Sequence, residues 1–204
     1  GSFQAWNAVD EQLASVESPP STDPNKRESR ALVVDLNRDG HLDIVFPNTI
    51  HNYFVEMQAY IYWGGPEGYS PRRRTELPTL FAEDLAVADF NRDGYLDLVF
   101  ANFGDESGDR LGYKNHLASF LYWGAPDGFS VERRTAVPSV SAVSCAAGDF
   151  NGDDRPDLAV ANFDPTSDAG SVSILINSGT GKFHDGPVIN VGRGPTGLAA
   201  ADLD

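Results

Sequence analysis

The 204 residues include a single cysteine, Cys145, which excludes an internal disulfide and any zinc or iron–sulfur centre built on four cysteines. Its expected role is that of a small buried hydrophobe. Basic residues are also scarce: 15 Lys and Arg stand against 30 Asp and Glu, a formal net charge of −15. That balance argues against a nucleic-acid partner, whose phosphates need a basic footprint. It suits either a cation binder or a generally acidic, soluble surface. No apolar run approaches the roughly 18 residues of a membrane span. The sequence has no Asn-x-Ser/Thr sequon and no signal peptide; Gly1-Ser2 reads as a cloning remnant, which leaves room for a leader cut away upstream.

What the chain has in quantity is turn residues, with 20 Gly and 13 Pro, as many short strands require. Self-comparison then finds a repeat. Ala31 to Asn48 aligns with Leu85 to Asn102 and with Cys145 to Asn162, and a fourth copy begins at Leu198 and reaches Asp202 and Asp204. The loop starts at 35, 89, 149 and 202 give periods of 54, 60 and 53 residues. From loop start to Trp63, Trp123 and Asn177 the spans are 28, 34 and 28 residues, so the longer middle period comes from an insertion within 103–117. A connection between strands tolerates such an insertion.

Each period holds four strand-like runs. The first are 31–36, 85–90 and 144–150, and the second 42–47, 96–101 and 157–161. The third are 58–63, 118–123 and 171–176, and the fourth 69–76, 129–137 and 183–191. Four strands per repeat predict an all-β fold, a β-propeller of four-stranded blades, about 3.5 of them here. The expected organisation is a tail, linker or extra strand over 1–29, repeats over 30–82, 83–141 and 142–194, and the first strand of a fourth over 195–204. Within the tail, Phe3 to Trp6 reads as a strand or plain tail and 7–17 as a short helix. Tyr62-Trp63 and Tyr122-Trp123 are expected to pack between blades, with carbohydrate stacking on the tryptophans as the sharper alternative. Arg72, Arg73, Arg74, Arg133 and Arg134 are expected on outer strands, where charge discourages edge pairing.

The first two strands of each repeat enclose a loop of the form Asp-x-Asn-x-Asp-x-x-x-Asp. Ca²⁺ prefers six to eight oxygen ligands, and oxygens on alternate residues of a tight loop wrap around it. Positions 1, 3 and 5 supply side chains: Asp35, Asn37, Asp39; Asp89, Asn91, Asp93; Asp149, Asn151, Asp153. Position 7 supplies a main-chain carbonyl from His41, Tyr95 or Arg155, and position 9 a carboxylate from Asp43, Asp97 or Asp157. Gly40 and Gly94 at position 6 suit a turn at positive φ; the third copy has Asp154 there, which tolerates that region better than most residues. Phe46, Phe100 and Val160 stand where an EF-hand would place its bidentate Glu, so the loop closes on its ninth residue instead. Zinc is disfavoured by the lack of Cys or His side chains at ligand positions. Asx-rich turns without metal are the alternative; three such loops in register favour about three Ca²⁺ sites.

On these residues, Asp89-Phe90-Asn91-Arg92-Asp93-Gly94-Tyr95-Leu96-Asp97 above all, the chain resembles the FG-GAP/VCBS repeat family over about residues 30–204. The resemblance implies an integrin-α-like propeller with Ca²⁺ in the first hairpin of each blade. The integrin-type Gly-Ala-Pro after the second strand is absent, which makes the style bacterial rather than integrin-like. It further implies a secreted, periplasmic or cell-surface location. The expected function is a non-enzymatic binding or adhesion scaffold for a protein or glycan, presented by the loops at 49–57, 103–117 and 163–170. Two alternatives stand beside it: part of a calcium-dependent polysaccharide-active enzyme such as a lyase, or a purely structural repeat. With about 3.5 repeats, either the chain is a fragment of a longer propeller or copies associate to complete a ring; two copies would supply about seven blades, which makes a homodimer the form of self-association to test.

Overall fold

The computed structural model describes residues 31–47, 57–103, 117–164, 167 and 169–201. The expectations for 1–29, for Asp202 and Asp204, and for most of the loops at 49–57, 103–117 and 163–170 lie outside the described residues.

Among the described residues, twelve strands form three four-stranded antiparallel sheets, each a simple meander. Sheet 1 holds β1 (Leu32–Val34), β2 (Asp43–Phe46), β3 (Met57–Tyr62) and β4 (Arg74–Thr79). Sheet 2 holds β5 (Ala82–Ala88), β6 (Asp97–Asn102), β7 (Leu117–Tyr122) and β8 (Arg134–Ser139). Sheet 3 holds β9 (Ala142–Gly148), β10 (Asp157–Asp164), β11 (Ala169–Asn177) and β12 (Phe183–Arg193). No described helix is long and apolar enough to cross a membrane.

Side chains alternate across a strand, so a sheet buried on both faces reads as a continuous apolar run. β6 is such a strand, buried throughout from Asp97 to Asn102. Its Leu98 and Phe100 join Val45, Ile61 and Leu77 in the cluster between sheets 1 and 2. Val99 and Ala101 join Leu158, Val160 and Leu175 in the cluster between sheets 2 and 3. Each fully buried aliphatic side chain there contributes about 1.5–3 kcal/mol. Cys145 sits in the second cluster, where burial pushes its thiol well up. The core therefore lies between the sheets rather than within any one of them.

Trp63 and Trp123 pack between blades. Trp63 stacks on Phe129, in the β7–β8 connection of sheet 2, with ring centroids 6.4 Å apart. Trp123 packs over Gly181 of sheet 3, where a Cβ would stand 1.9 Å from the ring. Tyr122 donates its hydroxyl to Pro78 O of sheet 1 at 2.6 Å, whereas Tyr62 packs within sheet 1 against Phe46 and Tyr60.

The connections between sheets are very short: Leu80-Phe81 and Val140-Ser141, with Phe81 at φ 53° and Ser141 at φ 43°. Each is pinned by the asparagine that ends or follows the core of the second strand of the next sheet. Asn102 Oδ1 accepts from Leu80 N at 3.2 Å, and Asn162 Oδ1 from Val140 N at 2.9 Å. Beyond β12 the chain returns to β9: Leu198 N donates to Ser144 Oγ at 3.0 Å, and Ser144 in turn bonds to Asp84 of β5.

The fourth strands of sheets 1 and 2 begin about five residues later than the sequence predicts, at Arg74 and Arg134. The Gly-Tyr and Gly-Phe segments before them are spent on paired turns, Gly68 N to Gly65 O and Arg73 N to Ser70 O in sheet 1. Arg73 and Arg133 clip these turns by donating to Gly68 O and Gly128 O. Of the expected outer-strand arginines, only Arg74 and Arg134 lie on the strands, over the rings of Tyr60 and Phe120. Sheet 3 uses a short turn from Ser178 to Lys182, so β12 starts at once.

Candidate metal centre

The three Asx-rich segments are the hairpin loops β1–β2, β5–β6 and β9–β10. Their first Asp leaves the strand and accepts main-chain N–H groups of the loop. Asp35 Oδ1 accepts from Asp39 N at 3.0 Å and Oδ2 from Gly40 N at 2.9 Å. The second and third loops repeat this: Asp93 N to Asp89 Oδ1 and Asp153 N to Asp149 Oδ1, both 3.1 Å. The asparagine closes on the same nitrogen. Asn37, Asn91 and Asn151 Oδ1 lie 3.0, 3.0 and 2.9 Å from the N–H of Asp39, Asp93 and Asp153. Positions 1 and 3 thus bring two oxygens against one amide in every copy.

Position 5 is drawn in from both sides. Asp39 Oδ2 accepts from Asn37 Nδ2 at 3.0 Å and Oδ1 from His41 N at 2.9 Å. The equivalent bonds reach Asp93 from Asn91 and Tyr95, and Asp153 from Asn151 and Arg155. The His41 N–H, then Asn37, hold the Asp39 carboxyl below its ordinary value. At Asp149 burial acts to raise the carboxyl, but the N–H groups of Asp154, Gly152, Asp153 and Asn151 together hold it low.

Tight wrapping needs left-handed backbone twice per loop. Position 6 supplies one turn, at Gly40 (φ 86°), Gly94 (φ 93°) and Asp154 (φ 61°). Position 4 supplies the other, at Arg38 (φ 58°), Arg92 (φ 60°) and Gly152 (φ 78°). The sequence signals the second turn only through Gly152, since arginine rarely takes this conformation.

The ninth residue is the most buried acid of each loop. Asp43, Asp97 and Asp157 are fully covered. Asp43 Oδ2 accepts from Leu36 N at 2.9 Å and Oδ1 from Gly64 N at 2.8 Å, tying the ends of β1, β2 and β3 together. Asp97 takes Phe90 N and Gly124 N at 2.8 and 2.9 Å, and Asp157 takes Phe150 N and Asn177 N at 3.1 and 2.7 Å. Burial nonetheless pushes all three carboxyls up, Asp97 to about 7, against the lowering effect of those N–H groups. The acids at positions 5 and 1 add repulsion in each case.

These bonds correct the alignment of the third repeat. Asn177 occupies the place of Gly64 and Gly124, not of Trp63 and Trp123; Ile176 follows Leu175, the partner of Leu158, as the tryptophans follow Tyr62 and Tyr122, the partners of Ile44 and Leu98. In the first two loops that place needs glycine, because a Cβ would lie 2.2 Å from Leu42 O or Leu96 O. In the third, Asn177 Nδ2 donates to Pro156 O at 2.9 Å and crosses to Phe90 O of the second loop at 2.7 Å. Tyr69 covers the first loop by donating to Leu42 O at 2.8 Å. Gly64, Gly124 and Tyr69 all fall within the repeated segments, but repetition alone assigns them none of these roles.

Every expected side-chain ligand lies in its loop, and the donor set is entirely oxygen at positions 1, 3, 5 and 9. A carboxylate oxygen that accepts one N–H keeps a further lone pair, so the set is chemically suited to a hard divalent cation. Among the described residues, no three acidic or histidine side chains already form a metal cluster by themselves; amide and main-chain oxygens would have to complete the shell.

A family model described as "FG-GAP-like repeat" matches residues 35–100 and 149–204, together more than half of the chain. Among curated proteins, phosphatidylinositol-glycan-specific phospholipase D of Mus musculus is 30% identical over 158 residues, covering 63% of this chain and 17% of its own. The Homo sapiens protein of the same name is 30% identical over 161 residues with the same coverage. The chain thus spans about one sixth of the length of these relatives.

Proposed function

The chain belongs to the FG-GAP-like repeat family, and on that premise we propose that it is a calcium-stabilised segment of a β-propeller that serves as a non-enzymatic binding or adhesion scaffold. The observation that carries the calcium reading is the ninth-position carboxylate. It is buried at the meeting of three strands, beside acids at positions 1 and 5, in all three copies. A divalent cation there would neutralise repulsion that the N–H groups offset only in part.

Asp35, Asn37, Asp39, the His41 carbonyl and Asp43 would hold one ion. The same positions of the other two loops, through Tyr95 and Asp97 and through Arg155 and Asp157, would hold two more. When bound, the ion supplies charge and a rigid coordination centre. The protein's own contribution is to present these oxygens on a hairpin fixed at both ends. Binding would stabilise the folded state by mass action. Calorimetric titration of the chelator-treated chain with calcium chloride tests this. Uptake of about three ions with a raised melting temperature is expected; no heat and no shift at millimolar calcium would reject it.

The scaffold reading is supported by where the clustered acids go: they are engaged in the three loops. Ligand contact at the loops opposite the metal hairpins, with a protein or a glycan, and a secreted, periplasmic or cell-surface location belong to the same proposal. Sheets stacked face to face close into a ring at about four to eight blades. A homodimer pooling the blades of two copies is one route, and a light-scattering mass of one chain would exclude it.

A second reading is favoured by the named relatives, in which the matching region is a small part of a protein called a phospholipase D. Here the repeats would be the non-catalytic portion of a larger lipid- or polysaccharide-active enzyme. Both readings make the repeats themselves non-catalytic, so turnover of a glycan or a glycosylphosphatidylinositol by the chain alone would count against both.

A further inference from the structure

The seventh position of the loop carries His41, Tyr95 and Arg155, and among the described residues only the last bonds its side chain to a candidate ligand. Arg155 Nη2 pairs with Asp153 Oδ2, and Nε donates to Asn177 O at 3.2 Å. The two side chains are 33% and 24% exposed, so the pair is largely covered. Its seat is Gly179, at φ 85°, where a Cβ would stand 2.7 Å from Arg155 Cδ. Asp153 Oδ2 also receives Asn151 Nδ2 at 2.7 Å, and its Oδ1 receives Arg155 N at 3.0 Å. Both oxygens of this carboxylate are therefore bonded from within the loop. Asp39 and Asp93 accept from their asparagine and the position-7 N–H, and among the described residues neither is ion-paired with an arginine.

We propose that Arg155 is a built-in competitor for the cation at the third loop, which makes that loop the weakest of the three calcium sites and the one that keeps its shape best without metal. The inference rests on the reading that the loops bind calcium. The physical basis is competition for one carboxylate. Asp153 Oδ2 already receives both Asn151 and Arg155, so a calcium ion that takes this oxygen must displace a guanidinium held at two points, and the lost pair subtracts from its affinity. Asp154 adds a negative charge to the loop, but its side chain is exposed and faces solvent screening.

Each loop carries its own reporter. The position-6 N–H groups of Gly40, Gly94 and Asp154 donate to the first Asp of their loops at 2.9, 2.9 and 2.8 Å. Amide NMR during a calcium chloride titration of the chelator-treated chain then reads the three sites separately. The Asp154 midpoint is expected about tenfold above those of Gly40 and Gly94, the effect of one largely covered, charge-assisted bond. Arg155→Tyr, copying Tyr95, and Arg155→His, copying His41, should bring it to within about threefold of the others. In chelator, the amides of Asp153, Asp154 and Arg155 should exchange more slowly than those of Asp39, Gly40 and His41, and lose that protection in either variant. An Asp154 midpoint that coincides with the other two, or that neither variant moves, overturns the proposal. Silence at Gly40 and Gly94 would instead remove the calcium reading itself, and this inference with it.

Discussion

Asn177 ends a strand of sheet 3 and Phe90 lies in the hairpin loop of sheet 2, yet Asn177 Nδ2 lies 2.7 Å from the Phe90 carbonyl, and the same amide reaches Pro156 O at 2.9 Å. One fully buried side chain thus fastens the second and third hairpin loops to each other. Asn177→Asp replaces the donor with an acceptor facing two carbonyls. The expected loss is about 3 kcal/mol of stability, since it leaves two buried acceptors unpaired beside a new charge. Chemical denaturation checks it; a loss under about 0.5 kcal/mol would show that the bridge carries no stability.

A second tie between the same loops runs from the Arg92 guanidinium to Asp154 O. Arg92→Gly removes it, and Gly152 shows that glycine suits this left-handed position. Arg38 occupies the same position of the first loop, and among the described residues no such bond joins it to the second loop, so Arg38→Gly is the matched control. Relief of strain should make the control neutral or stabilising by up to about 1 kcal/mol. Arg92→Gly should come out less favourable than the control, by about 1 kcal/mol in melting experiments; equal shifts would sink the idea.

Gly64 and Gly124 face the eighth-position carbonyls so closely that an added Cβ would meet oxygen at 2.2 Å. Main chain cannot yield as a flexible side chain can, so Gly64→Ala and Gly124→Ala should each cost about 1–3 kcal/mol. Gly197→Ala, with nothing within 4 Å of the new methyl, should stay within about 0.5 kcal/mol of the parent. Thermal melts of the three variants settle the ranking.

Asp97 has two roles that calcium and chelator can separate. Asp97→Ala strands the N–H groups of Phe90 and Gly124 and should cost about 3 kcal/mol even in EDTA. Asp93→Ala touches only exposed loop bonds, so its penalty should be small in EDTA and larger with calcium present. Equal penalties for Asp97→Ala and Asp93→Ala in EDTA would show that the ninth position is not the anchor described.

The loops were legible because their chemistry repeats: an Asx oxygen on alternate residues and Gly40 or Gly94 at the sharp turn leave few other conformations. The first three strands of each sheet followed from alternation and short apolar runs. The starts of β4 and β8 did not, because they depend on Arg73 and Arg133 reaching back to Gly68 O and Gly128 O, a bond no local pattern announces. The third repeat misled by coincidence. Equal spans of 28 residues set Asn177 against Trp63, while the hydrogen bond from Asn177 N to Asp157 Oδ1 decides the true register. The left-handed arginines at 38 and 92 are hidden because they run against their own preference, and the bonds from Asp39 N and Asp93 N to the first Asp of each loop hold the turn around them.

The two-residue connectors have a bearing on what counts as a part of this molecule. Phe81, buried and at positive φ, leaves no slack between sheets 1 and 2, and the residues on either side of it share one apolar cluster. Severing the chain there would not free two self-sufficient pieces. Each would carry away one wall of a room whose interior belongs to both. The cooperative unit is therefore the space between neighbouring sheets, and such a chain lengthens or shortens most readily by whole blades, never by a residue at the joint.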